Sequence, residues 1–252
     1  MPISDPTPMF LPSCRLFLAA LFVLAGATAR ADEYARFQVD LDGDGKPETV
    51  RLSQRPGADE VRSILTVAIG GEHVDIPFFS AEGDLPNLRL VAIDHARPWR
   101  QAVVETFEPA GCRFHVLGWR KGRLLQLLDF DSGESCHPLD FDWQGDVTTW
   151  TWEGFWHRPE SYRLSDDGSA LLKRAGTTYE MSVVGAAGEG LVLGGATCKP
   201  QAIAPGSFLR VTRFDAKGQR YLLETPGGAC GWLPADQLRS DGGKVAQLPF
   251  AG

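Results

Sequence analysis

Residues 40 to 48 read Asp40-Leu41-Asp42-Gly43-Asp44-Gly45-Lys46-Pro47-Glu48. Three aspartates alternate here, and a glutamate closes the run. So many carboxylates in so short a span repel one another unless a cation sits among them. Asp40, Asp42 and Asp44 supply oxygen donors at positions 1, 3 and 5. The Lys46 carbonyl falls at 7, the Glu48 carboxylate at 9, and Gly45 at 6 permits the sharp turn. This is the ligand order of a calcium loop. Position 12 is Arg51, where a helix–loop–helix calcium hand needs a bidentate Glu. Pro47 also argues against a helix leaving the loop. The loop is therefore expected between two strands, Tyr34–Val39 and Glu48–Ser53, with calcium pinning the first hairpin. The alternative is a metal-free Asx/Gly turn with solvated carboxylates. Outside the cytosol a weak site, with Kd on the order of 10⁻⁴ M, stays filled.

The start of the chain points to export. Arg15 precedes the apolar run Leu16–Leu24, and small residues end in Ala29-Arg30-Ala31. That is the pattern of a signal peptide over residues 1–31, with Met1 or Met9 as the start. The run is too short to span a bilayer, no later stretch is longer, and Cys14 lies ahead of the cleavage site. The expected location is the periplasm or the exterior. The whole chain carries a formal net charge of −7. The mature chain is one unit more negative, since Arg15 and Arg30 leave with Asp5. This balance argues against nucleic acid and anionic membrane as partners and makes a basic partner easier. Four cysteines then remain: Cys112, Cys136, Cys198 and Cys230. An even number in an exported chain implies disulfides. Three pairings exist; Cys112–Cys136 and Cys198–Cys230 keep each bridge within one expected domain, and each bridge adds about 3 kcal/mol. No two cysteines have C-x-x-C spacing, which disfavours zinc or redox chemistry.

Strand signals run along the rest. Ile64–Ile69 and Val74–Phe78 flank Gly70-Gly71, a hairpin signal. Leu88–Asp94, Gln101–Phe107, Cys112–Trp119, Leu124–Phe130, Val147–Trp152, Ser161–Leu164 and Ala170–Arg174 follow. Arg120-Lys121-Gly122-Arg123 reads as a solvated hairpin tip. Short strands at this spacing predict a mostly β chain, with a sandwich or propeller-like sheet domain over residues 32–184. No exact repeat is evident. Gly185–Gly190 reads as a linker to a smaller unit, 185–252.

That smaller unit contains Gly206-Ser207-Phe208-Leu209-Arg210-Val211, then Tyr221-Leu222-Leu223-Glu224, then Gly231-Trp232-Leu233-Pro234. It resembles a bacterial SH3-like domain over about sixty residues, an inference from short motifs. The resemblance implies a small β-barrel that binds cell-wall peptides or protein partners, without catalysis. The acidic loop resembles the calcium loops of FG-GAP and VCBS-type β repeats, which lie between two strands. The resemblance implies Asp40, Asp42, Asp44, the Lys46 carbonyl and Glu48 as ligands.

No catalytic constellation stands out. His73, His95, His115, His137 and His157 are scattered, without zinc-enzyme spacing. Cys136-His137 as a nucleophile pair competes with the disulfide. Glu105, Glu108, Asp129, Asp131 and Glu134 offer paired carboxylates whose separation the sequence does not give. Trp143, Trp150, Trp152 and Trp156 form the densest aromatic cluster. Trp150 and Trp152 share one strand face by the period of two. These two, with Tyr221 and Trp232, are the candidate ligand-binding residues, set against core roles. The expected function is non-catalytic binding in the cell envelope, to peptidoglycan or to an envelope protein. One alternative is an inhibitor or immunity protein against a basic cell-wall hydrolase, inserting an acidic loop such as Asp129–Glu134. The other is a carboxylate-dependent hydrolase.

Overall fold

The structure is a computed structural model and describes residues 32–57, 61–79, 86–133, 136–195, 197–238 and 243–249. The expected signal peptide lies outside the described residues. Alternating side chains build a mostly β chain. The first meander comprises β1 (Asp32–Val39), β2 (Glu48–Pro56), β3 (Arg62–Ile69) and β4 (Glu72–Phe79), antiparallel and in that order. In β3, Leu65, Val67 and Ile69 point inward and are fully buried, while Ile64, Thr66 and Ala68 are not. Each such burial contributes about 1.5–3 kcal/mol.

The second meander comprises β5 (Asn87–Val91), β6 (Gln101–Glu108), β7 (Gly111–Arg120) and β8 (Arg123–Asp131). The third comprises β9 (Asp140–Phe141), β10 (Asp146–Trp152), β11 (His157–Leu164) and β12 (Leu171–Lys173). The second meander is buried on both faces. Ala102, Val104, Leu117 and Trp119 join the core of the first meander. Val103, Phe114 and Val116 join a second core with Leu139, Val147, Leu164 and Leu171 of the third. Near-continuous apolar runs in β6 and β7 follow from this central place, since a strand covered on both sides keeps no polar face. The three meanders thus form stacked layers of a sandwich-like β architecture.

The remainder is a five-stranded sheet and a hairpin. Its strands are β13 (Thr178–Ala187), β14 (Val192–Gly195), β15 (Cys198–Ala202), β16 (Phe208–Asp215), β17 (Arg220–Glu224), β18 (Cys230–Pro234) and β19 (Val245–Ala246). The sheet order is β18-β17-β16-β13-β19, and β14 pairs β15. Among the described residues no α-helix occurs, and a 3₁₀ turn spans Ala235–Gln237. The hairpin packs tightly on β18. A side chain at Gly231 would collide with the backbone of Leu193 and Gly194, which accounts for the glycine before Trp232.

The glycine-rich stretch read as a linker is corrected in part. Gly185, Ala186 and Ala187 close β13 and pair with β16 and β19. Small residues are required there because Val245 and Leu248 lie against Gly185. The boundary expected after residue 184 therefore falls inside a strand. Residues Ala31–Gly252 belong to one compact unit. Phe155 and Trp156, from the β10–β11 turn, are buried in the core of the five-stranded sheet.

One feature recurs in all three meanders. The first and second strands are joined by loops at 40–47, 92–100 and 142–145. In the first, the Leu41 N–H donates to Glu48 Oε2 at 2.7 Å. In the second, the Ile93 N–H donates to Gln101 Oε1 at 3.1 Å. The loops are also joined in series. The Arg100 N–H donates to the Leu41 carbonyl at 2.9 Å, and the Gly145 N–H donates to the Ile93 carbonyl at 3.0 Å.

Candidate functional site

The acidic loop is held by its own carboxylates. Asp40 accepts the N–H groups of Gly43 and Gly45, at 2.7 and 2.9 Å. Asp42 accepts the Asp44 N–H at 3.2 Å. Gly43 has φ +77°, and a side chain there would strike Pro98 of the second loop. Asp40, Asp42 and Glu48 bring one oxygen each to within 4.8 Å of one another. Asp44, expected as a ligand, stands outside this trio. Its carboxylate accepts the Lys46 N–H at 2.7 Å and lies 3.7 Å from Lys46 Nζ.

The corresponding loops hold their acids differently. In the second, Asp94 pairs with Arg97 at 3.5 Å. Just after the third, Asp146 at the start of β10 pairs with Arg163 at 3.2 Å and Arg174 at 3.1 Å, while the loop's own Asp142 accepts the N–H groups of Gln144 and Asp146. Among the described residues, Asp40, Asp42 and Glu48 form no ion pair. Arg120 is the cation that acts on Asp42 from further away. Of the hairpin expected to be solvated, Lys121, Gly122 and Arg123 are exposed, but Arg120 is not, at 8%. The guanidinium lies 3.8 Å over the Trp99 ring, and Nη1 donates to the Trp119 carbonyl at 2.8 Å. Burial lowers its pKa to about 10, against the opposing pull of Asp42 and Asp167. The first, second and third meanders thus meet at Trp99 and Arg120, with Gly168 of the β11–β12 turn packed on both.

The four clustered tryptophans part company. Trp156 is 7% exposed, and its Nε1–H donates to the Tyr221 hydroxyl at 3.1 Å. Trp143 stands alone on the third loop. Trp150 and Trp152 share the outer face of β10, half-buried, while Val147 and Thr149 face inward. Two histidines sit with them. His137 is 4.8 Å from Trp150 and His157 is 4.7 Å from Trp152, centroid to centroid. The two imidazoles are 5.2 Å apart. Trp150 Nε1 donates to Asp140 Oδ2 at 2.9 Å, fixing the ring. Partial burial, then the neighbouring His137, lowers the His157 pKa. The two histidines, scattered in the sequence, come from different segments and meet only in the fold.

Tyr221, expected at a ligand surface, is a core residue at 3% exposure. Burial pushes its phenol up to about 12. Strand alternation places Tyr221 and Leu223 inward together, so the period that exposes Leu222 hides the tyrosine. Trp232 is half-buried opposite Leu222, with the Arg220 guanidinium 4.8 Å from its ring. A residue not singled out from sequence, Phe208, is 47% exposed. It borders a cleft of about 520 Å³ with Ile203, Ser207, Thr225 and Pro226. Alternation with buried Leu209 and Val211 is the signal that points it outward.

Both disulfides form as favoured from the sequence. Cys112–Cys136 ties β7 to the segment before β9, and Cys198–Cys230 ties β15 to β18. Two disulfides fit an oxidising, extracytoplasmic setting. Three of the loose carboxylates, Asp129, Glu105 and Asp131, find structural partners. Asp129 binds Arg113 at 2.6 and 3.0 Å. Burial alone would raise its pKa, but Arg113 and His115 hold it low. Glu105 faces Asn87 at 3.4 Å. Glu134 lies outside the described residues. Glu160, 8% exposed, is bound by Arg158, by Lys173 at 2.7 Å and by Tyr162 at 3.2 Å. No protein-family model, characterised protein or solved structure matches this chain.

Proposed function

We propose that the chain is a non-catalytic binding protein of the cell envelope that takes the glycan of peptidoglycan on the outer face of β10. The observation that carries this reading is the half-buried pair Trp150 and Trp152 on one strand face. Residues two apart on a strand lie about 7 Å apart. Two indoles at that spacing offer successive apolar platforms to the faces of linked sugar rings, and Asp140, His137 and His157 supply polar neighbours. The aromatic body provides contact area at small entropic cost. The SH3-like reading of the C-terminal sheet gives a second binding unit, with Trp232 and the Phe208 cleft as its surfaces. In this reading Asp40, Asp42 and Glu48 hold calcium in a structural role. The support is their unpaired charge: in the second loop Arg97 pairs with Asp94, and in the third meander two arginines pair with Asp146, which like Glu48 opens the second strand.

Co-sedimentation tests the glycan reading. The mature chain, Asp32–Gly252, is expected to pellet with purified peptidoglycan. A Trp150→Ala/Trp152→Ala variant with an unchanged melting temperature is expected in the supernatant. Equal pelleting of both proteins, or no pelleting of the parent, removes the proposal.

A further inference from the structure

We propose that the tip of the third loop is a docking point for a cationic segment of a partner protein, with Trp143 as its anchor. Asp142 Oδ1 accepts the N–H groups of Gln144 and Asp146, both at 2.8 Å, and so folds a tight turn. Within it Trp143 has φ 62°. This left-handed backbone is unfavourable for a bulky L-residue and comfortable for glycine or asparagine. Strain of this kind is normally offset by burial, yet Trp143 is 44% exposed. Packing therefore does not account for the residue, and an observed outlier of this type points to function.

The ring is nevertheless fixed. His95 stacks on it at 5.1 Å and 21°, and Phe141 lies 5.6 Å away. The His95 N–H donates to the Trp143 carbonyl at 2.9 Å. An exposed, pre-positioned indole is the ring type that holds a cation best on its open face. The charge around it has the matching sign. Asp142 is in the same turn, Asp94 bridges to Gln144, and Asp166 has a fully exposed side chain. Arg97, shared between Asp94 at 3.5 Å and Asp166 at 3.7 Å, is one local offset; Arg163, against Gly145, and Arg174 are the others, both paired with Asp146, and among the described residues no arginine pairs with Asp142. Arginine suits such a site better than lysine, because its planar head stacks on the ring while its edge reaches a carboxylate. The chain's net charge of −7 favours encounter with a basic partner in general.

The test uses the mature, disulfide-intact chain and a fluorescently labelled oligoarginine peptide, read by anisotropy at low and at physiological salt. The parent is expected to bind, more weakly as salt rises. Trp143→Gly relieves the backbone and removes the ring; it is expected to lose about tenfold in affinity. Trp143→Asn, equally at ease in the left-handed region, is the second variant should the first fail to fold, and Trp143→Phe is expected in between. Equal binding by the parent and the glycine or asparagine variant would reduce the attraction to net charge and overturn the proposal. So would a parent that does not bind. The site is separate from the Trp150–Trp152 pair, so failure here leaves the peptidoglycan test standing.

Discussion

His115 sits in the middle of β7 at 4% exposure, with neither ring nitrogen hydrogen-bonded. Its Nδ1 is 3.6 Å from Asp129 Oδ1. Burial lowers its pKa, Arg113 lowers it further, and Asp129 opposes both without winning. In the folded chain the imidazole therefore stays neutral where an unfolded one takes up a proton. The unfolded state then binds more protons as pH falls below about 6.5, and stability falls with it. The depressed carboxyls of Asp129 and Glu160 act in the same direction but in a lower window, where carboxylates titrate. We expect the melting temperature to drop between pH 7 and pH 5, and His115→Phe to flatten that drop. An identical slope in the variant would assign the acid sensitivity elsewhere. Asp129 is then a structural partner of Arg113 and His115, which leaves it poorly suited to entering an enzyme's cleft.

At the scale of the element, the acidic loop is the most exacting segment. Its turns are formed by Asx hydrogen bonds, but Asp40, Asp42 and Glu48 still repel. Calcium at 10 mM against a Kd on the order of 10⁻⁴ M would stabilise the fold by about 2.7 kcal/mol. For a chain of this size that is a rise in melting temperature of roughly 5–10 °C. Scanning calorimetry with calcium and with chelator reads it directly, and Asp42→Asn is expected to abolish most of the rise. Equal melting in both conditions would make the loop an ordinary turn. Much at this scale was legible in the sequence. Alternation and Gly-Gly or Lys-Gly turns located β3–β4 and β7–β8, and cysteine count with domain locality favoured the two bridges. Other elements were not legible, for physical reasons. β13 ends in Gly185-Ala186-Ala187 because β19 presses on it, and small residues in a crowded strand look like a linker. The three related loops differ in length and side chains. The first two are alike in a backbone hydrogen bond to the side chain that opens the next strand, a Glu48 carboxylate in one and a Gln101 amide in the other; in the third the acceptor is the Asp146 backbone carbonyl. Tyr221 and Trp150 are both aromatic residues in strands; only the phase of each strand against its core decides which is hidden.

At the scale of the whole molecule, the stacked meanders and the C-terminal sheet share side chains. Phe155 and Trp156 complete a core otherwise built from β13 to β19, and the indole N–H of Trp156 is satisfied by Tyr221. A fragment of residues 185–252 lacks both rings and most of β13. It is expected to show no cooperative thermal transition by circular dichroism, although it contains all the SH3-like motifs. A sharp, reversible melt of that fragment would show that the shared core is dispensable. The same interlock sets an order of events in time. β19 pairs with Ala186 and Ala187 near the end of the sequence, and Val245 and Leu248 close over the core that holds Phe155 and Trp156. Contacts so distant along the chain form late, after the loop-closure entropy has been met. The first two meanders have their own core, but the β10–β11 turn finds its full packing only with β19 in place. A chain threaded through a membrane from its N-terminus would thus lack this fastening until residues 245–248 have crossed.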